Sequence, residues 1–300
     1  MAFETLLGNE EIKNLLQNTV NLNKILHSYL FVGIEGIGKR IFAREFSKMI
    51  LCNSENKKYC DICKSCIEFE SDNHPDFMVI NSEDGKNIKI EQIRYLQEKI
   101  AQKPVTSNKK IYIINDCELM TKEAANCLLK TLEEPPLYAV VILITSNEGK
   151  ILPTIKSRCT KINFLPISNK NIEQYARNNN IEELPEFIVN HSGGSIGNFL
   201  KMQKNIEEYK QIDYVLESFN KKNITSIWTE ADILYKDKEN IIDYLDYINI
   251  ICLEKYNKNK NVGYLKCISI IEESKKRIAE NANFDMTIDN MLLRMWEEIN

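Results

Sequence analysis

The most constraining stretch of this 300-residue chain is Gly33-Ile-Glu-Gly-Ile-Gly38-Lys39-Arg40. It follows a short apolar run, Ser28-Tyr-Leu-Phe-Val32, and leads into a segment with Ile41, Phe42, Phe46, Met49 and Ile50 at helical spacing. A strand, a glycine-rich turn closing on lysine and then a helix form the unit in which backbone N–H groups cradle phosphates and the lysine reaches the β- and γ-phosphates. The region is therefore expected to be a P-loop fold, with Gly33, Gly36, Gly38 and Lys39 facing any nucleotide. One position departs from the pattern. Arg40 stands where a Ser or Thr hydroxyl would bind Mg²⁺, so the loop is degenerate, and whether it still binds nucleotide stays open.

Further strands are predicted at Phe77–Ile80, Ile111–Ile114, Ala139–Thr145 and Thr160–Phe164, with helices at Ile90–Ala101 and Thr121–Glu133, the second stopped by Pro135 and Pro136. An earlier helix carries Ile12, Leu15, Leu16 and Val20 on one face. Strands alternating with helices call for a Rossmann-like, mainly parallel sheet covered on both faces. After Pro166 only helical patterning continues, and in the last helix Ile288, Met291, Leu292, Met295 and Trp296 fall on one face. A P-loop ATPase also needs an acid after a second strand, often with an adjacent Glu that orients water. Here that strand runs into Asn115-Asp116-Cys117-Glu118. Either Asn115 replaces the metal-side Asp and Asp116 the Glu, or Asp116 is the metal-side acid and Cys117 stands in the Glu position. Both registers are defective, and Asp116 could simply begin a turn.

The balance of 39 basic and 43 acidic residues gives a net charge of -4, which supplies no global attraction to nucleic acid. The opening segment lacks the basic and apolar regions of a secretory leader and no apolar run approaches a membrane span, so a cytoplasmic protein is expected. Nine cysteines in such a chain point to metal binding or buried thiols rather than disulfides. Four of them, Cys52-x7-Cys60-x2-Cys63-x2-Cys66, can close one tetrahedral centre, for which structural zinc is the natural occupant. An iron–sulfur cluster competes, but the ferredoxin run ends in a fourth Cys and Pro, absent from Ile67 to Glu70. Unliganded thiols are the third alternative. Cys117, Cys127, Cys159, Cys252 and Cys267 lie in apolar segments or beside motifs and read mostly as small core residues.

Several stretches together resemble the bacterial DNA polymerase III clamp-loader AAA+ subunits: His27-Ser-Tyr-Leu-Phe-Val-Gly33 with the P-loop, the four cysteines, His74-Pro-Asp76, Ala124-Ala-Asn-Cys-Leu-Leu-Lys-Thr-Leu-Glu-Glu-Pro-Pro136, and Ile151 to Cys159 with its Ser157-Arg158-Cys159 motif. The likeness is strong to about residue 200, and Lys276 to Trp296 looks like the end of the family's collar. It implies an AAA+ P-loop domain over 1–165 carrying the zinc module at 52–66, a small helical lid over 166–207, and an all-α collar for oligomerisation over 208–300.

Within this family the motor branch, gamma/tau, hydrolyses ATP, with Ser/Thr after the P-loop Lys, an Asp-Glu pair after the second strand, and an Arg after the Gly-Ser turn of the lid. This chain has Arg40, Asn115-Asp116, and Gly197 in Gly194-Ser195-Ile-Gly197. The three departures align it with the non-motor branch, a degenerate ATPase that contributes to enzyme activity, that of a DNA-directed DNA polymerase (nucleotidyltransferase), only within the holoenzyme. An active gamma/tau-like ATPase using Lys39 and Asp116 is the alternative. The resemblance implies gamma/tau and delta as ring partners, and contact with the sliding clamp and primed DNA through the complex. Arg158 is then an arginine finger acting in trans on ATP bound by the neighbouring subunit. A surface or salt-bridged Arg is its plainer reading. Asn147 resembles a sensor position, and His74 reads as a turn residue rather than a metal ligand.

Overall fold

In the computed structural model, residues 6–54, 59–82, 85–181, 184–219 and 224–300 are described, so the first five residues of the segment read for a leader lie outside them. They divide into two compact units, 1–199 and 200–300.

The first unit is organised by five parallel strands: β1 (Ser28–Val32), β2 (Phe77–Ile80), β3 (Lys110–Ile114), β4 (Ala139–Thr145) and β5 (Thr160–Asn163). Their order is β2-β3-β4-β1-β5, so β1 lies between β4 and β5. Every residue of β3 and β4 is buried, as expected of strands covered on both faces. Alternation along β4 sends Val140, Ile142 and Ile144 into one apolar layer and Ala139, Val141 and Leu143 into the other. The first layer packs under α1 (Glu10–Asn21) and α2 (Lys39–Leu51), with Phe31, Phe42, Phe46 and Phe164 at its centre. The second receives α3's neighbour in sequence order, α4 (Ile90–Ile100), and α5 (Lys122–Glu133), through Leu96 and Leu128; α3 itself spans Lys64–Glu70.

Two positions assigned to core-facing stripes face solvent. Leu15 and Ile41 are each 52% exposed, while their neighbours Leu16 and Phe42 are buried, because each helix packs on the sheet along a narrower stripe than its apolar residues occupy. Short α6 (Pro153–Lys156) precedes β5, and α7 (Asn169–Asn178), α8 (Glu186–His191) and the start of α9 (Ile196–Lys204) complete the unit.

The second unit is wholly helical among the described residues: α10 (Ile206–Ser218), α11 (Ile224–Glu230), α12 (Ile233–Lys236), α13 (Ile241–Asn259), α14 (Gly263–Ala279) and α15 (Phe284–Ile299). Tyr209 packs edge-on against Tyr244 and Tyr247, at ring separations of 5.3 and 5.0 Å. The two partners' hydroxyls donate to Asp237 and Asp213, each at 2.7 Å, so this aromatic cluster buries no unpaired hydroxyl from either ring. On α15, Ile288, Met291, Leu292 and Met295 are buried. No described helix is long and apolar enough to cross a membrane.

Candidate functional site

The phosphate loop connects β1 to α2 as its sequence requires, but its lysine is already engaged within the chain. Lys39 is 6% exposed, and its ammonium donates to Gly33 O at 2.6 Å, Ile34 O at 2.8 Å and Ser146 Oγ at 3.1 Å. Three hydrogens meet three acceptors inside the loop and its neighbouring strand end. Burial lowers the Lys39 pKa, and the carboxylates of Glu118, Asp116 and Glu35 oppose that shift.

A second set of contacts comes from the Ser192–Ser195 turn and the start of α9. Ser195 Oγ donates to Glu35 O at 2.7 Å, and Gly197 N donates to Gly36 O at 2.9 Å. The two glycine backbones touch. A Cβ on Gly197 would come within 2.5 Å of Gly36 Cα, and one on Gly36, where φ is +71°, would meet Ser195 Oγ at 2.6 Å and Gly197 Cα at 2.7 Å. Gly197 therefore does more than lack a guanidinium: in this arrangement any side chain there would force the turn off the loop.

The acidic end of β3 is also bonded within the chain, although Asn115 Oδ1 and Glu118 Oε2 are buried without a hydrogen-bond partner. Asn115 is 4% exposed and donates through Nδ2 to Asn81 Oδ1 at 2.6 Å. Asp116 adopts a left-handed backbone, φ 47°, and caps the helical turn Cys117–Leu119. Burial raises its pKa, helped by Glu118 and Glu35. Glu118 accepts the Ser146 N–H at 2.9 Å, tying the end of β3's turn to the end of β4. Asn147 follows, its N–H donating to Thr145 Oγ1 at 3.0 Å.

At the other end of α2 the four cysteines converge. Their sulfur atoms all lie within 4.8 Å of one another, Cys52 being 3.8 Å from Cys60 and 4.0 Å from Cys63. Four thiolates about 2.3 Å from a tetrahedral ion are separated from each other by about 3.8 Å, so the donor set fits zinc with little rearrangement. Backbone N–H groups support the sulfurs: Ser54 N donates to Cys52 at 3.4 Å, Cys63 N to Cys60 at 3.3 Å, and Cys66 N to Cys63 at 3.5 Å. Cys63 is the N-cap of α3. Burial opposes its ionisation, but the N–H groups of Cys66 and Asn53 and the adjacent thiols outweigh this and bring its pKa down to about 7. Burial pushes the Cys66 thiol up.

The module rests on a buried polar seat. His74 Nδ1 accepts the Asp76 N–H at 3.0 Å, which leaves Nε2 to donate to Ser65 Oγ at 2.9 Å. Ser65 Oγ and Ser107 Oγ both donate to Leu51 O, at 2.7 and 2.6 Å. Asp76, 1% exposed, accepts three backbone N–H groups, from Val105, Thr106 and Ser107, at 2.8 to 2.9 Å. The His-Pro-Asp motif is a structural tie, and His74 stands apart from the sulfur cluster's donor set.

Arg158 lies between α6 and the start of β5, with a side chain 34% exposed. Its NH2 group pairs with Glu133 at 2.7 Å, and NH1 donates to Thr154 O at 2.9 Å and Ser157 Oγ at 3.3 Å.

A parallel sheet ordered β2-β3-β4-β1-β5, a P-loop whose lysine is bonded within its own chain and a four-cysteine module now stand beside known proteins. The family profile described as DNA polymerase III, delta subunit, matches residues 8–168. The chain belongs to this clamp-loader family. It is 40% identical over 162 residues to DNA polymerase III subunit delta' of Bacillus subtilis, covering 54% of this chain and 49% of that protein. It is 31% identical over 271 residues to DNA polymerase III subunit gamma of Buchnera aphidicola, covering 85% of this chain and 74% of the relative. The match thus spans about half the length of the Bacillus relative. A gamma subunit-related protein of DNA polymerase III from Thermotoga maritima has a similar fold, with TM-score 0.51 and 19% identity, covering 95% of this chain and 99% of that one.

For a clamp-loader family member, the sequence had marked every motif but none of the contacts between motifs. Ser195 and Gly197 bond to a loop some 160 positions earlier, Glu118 bonds to Ser146 and Glu133 to Arg158. The one available signal was compositional: a Gly in place of Arg at 197, opposite a Gly at 36.

Proposed function

We propose that this chain is the delta-prime type of clamp-loader subunit: a non-motor member of a ring with gamma/tau and delta that loads the sliding clamp onto primed DNA. Its lid (166–207) and collar (208–300) follow the AAA+ domain (1–165), and Arg158 acts in trans on ATP bound by the neighbouring gamma/tau subunit. The observation that carries the reading is a phosphate loop whose lysine is turned back onto its own chain. Lys39 spends all three hydrogens on Gly33 O, Ile34 O and Ser146, and Gly36 is pressed by Gly197, so the ammonium must exchange these partners before it can meet a triphosphate. Arg40 adds no oxygen for a metal. The cysteine set Cys52, Cys60, Cys63 and Cys66 suits zinc in a closed, structural role, leaving no position for catalysis.

The likeness to the Buchnera gamma subunit favours a second reading, an active ATPase using Lys39 and Asp116. One experiment separates them. The purified chain is expected to show no ATPase alone, and the complex with gamma/tau and delta to hydrolyse ATP. Lys39→Ala should leave that rate within about twofold, whereas Arg158→Ala should lower it about 10³-fold without loss of assembly. Turnover by the isolated chain, or a large effect of Lys39→Ala with none of Arg158→Ala, supports the motor reading instead.

A further inference from the structure

Arg158 follows α6, and two of its partners are Thr154 O in that helix and Oγ of its C-cap, Ser157. The third partner, Glu133, is the final residue of α5, and it is fixed there because Pro135 and Pro136 prevent the helix from continuing. Two motifs 25 positions apart, Leu132-Glu-Glu-Pro-Pro136 and Ser157-Arg-Cys159, therefore meet at one guanidinium. Its carbonyl side is held as well, since Ser28 Oγ, at the start of β1, donates to Arg158 O at 2.6 Å.

A guanidinium carries five N–H donors in a rigid plane. Here Thr154 O and Ser157 Oγ take the NH1 hydrogens, and the Glu133 carboxylate pairs with NH2 at 2.7 Å, which together set the orientation of the plane. The Nε hydrogen has no partner among the described residues. An exposed ion pair adds little to stability, because solvent screens it. Its effect on direction is separate: a long side chain that must meet a phosphoryl group gains when its rotamers are restricted beforehand.

We propose that Glu133 is a positioning residue for Arg158, holding the guanidinium so that its remaining donors face a phosphorylated ligand on the neighbouring subunit. This rests on the reading of Arg158 as a finger acting in trans. Glu133 touches no nucleotide and contributes only through the arginine.

The test uses the full chain assembled with gamma/tau and delta, with ATP as the probe. Glu133→Ala is expected to lower kcat about tenfold with KM and assembly unchanged. Glu133→Gln, whose amide oxygen still accepts, should stay within about twofold of wild type. Glu134→Ala, one residue on, should match wild type. In an Arg158→Ala background, Glu133→Ala should produce no further change, since the coupling of the pair would already be lost. A wild-type rate for Glu133→Ala, or an undiminished effect in the Arg158→Ala background, overturns the assignment. Should Glu133→Ala fail to assemble, Glu133→Asp carries the same test through a smaller fall in kcat, and a wild-type rate overturns the proposal in the same way. If Arg158→Ala itself leaves the rate unchanged, the finger reading fails, and that outcome is distinct from a failure at Glu133 alone.

Discussion

One helix, α2, carries a binding motif at each end, and the two ends have opposite fates. At its N-terminus the phosphate loop has every element of spacing that a nucleotide site needs, yet its lysine is held by Ser146 and the loop's own carbonyls, and the carbonyls of Glu35 and Gly36 are tied to the Ser195–Gly197 turn. At its C-terminus Cys52 joins three other thiols whose sulfurs face one another across distances that suit a metal. A motif is thus a statement about spacing. Whether it is a site depends on whether its donors or acceptors are left over once the chain has folded.

The largest effect expected from testing that contrast is at the cysteines. The purified chain should carry about one equivalent of zinc, and Cys60→Ser or a strong chelator should remove it and lower the unfolding free energy by several kcal/mol, since structural zinc binding is coupled to folding. Elemental analysis with urea unfolding measures both. Protein that is metal-free as purified and unaltered by chelator breaks the contrast at this end.

At the other end, Gly197→Ala puts a Cβ 2.5 Å from Gly36 Cα, where backbone cannot give way cheaply. A destabilisation of about 1–3 kcal/mol is expected, as for other overpacked contacts. Ser195→Ala should cost about 1 kcal/mol by removing the bond to Glu35 O. Urea unfolding gives both magnitudes, and faster amide exchange at Gly197 locates the opening. Unchanged protection at Gly197 in both variants would mean that the turn is held elsewhere.

The smallest expected effect concerns pH. Burial lowers the His74 pKa, with Asp76 and Glu68 opposing it. The unfolded chain then binds a proton more readily than the native one below its ordinary pKa of about 6.5, so stability is full above that value and falls as pH drops toward the lowered native pKa. The expected slope between pH 7.5 and 5.5 is modest, and His74→Gln should flatten it. An equal slope in that variant would assign the dependence to other groups.

Much of this was legible in the sequence because it is local. The strand positions, the stop at Pro135-Pro136, the P-loop unit and the cysteine spacing all involve residues within a few turns of one another, and the parallel sheet follows from their alternation. What could not be read was how far each apolar stripe extends: Leu15 and Ile41 keep the period of their helices but lie outside the contact with the sheet. Nor could the site's condition be read. Lys39 stands where an active loop has its lysine, and only the three-dimensional neighbours reveal that its ammonium is bonded to Ser146 while Ser195 and Gly197 tie down the carbonyls of Glu35 and Gly36. Gly197 shows the same limit from the other direction, since its sequence meaning was a missing Arg while its structural meaning is a close approach of two backbones.

The placement of β1 has a consequence for synthesis. Val32 ends a strand whose partners β4 and β5 begin only at Ala139 and Thr160. At roughly 5–20 residues per second, a growing chain must wait on the order of 5–20 s before either partner exists. The cysteine module, whose ligands span 52–66, can close within that interval, whereas Tyr29, Leu30 and Phe31 remain uncovered by neighbouring strands throughout it. An interior strand of the finished sheet is therefore made first but paired only late, and a nascent chain halted before β4 would present an apolar strand without a strand partner.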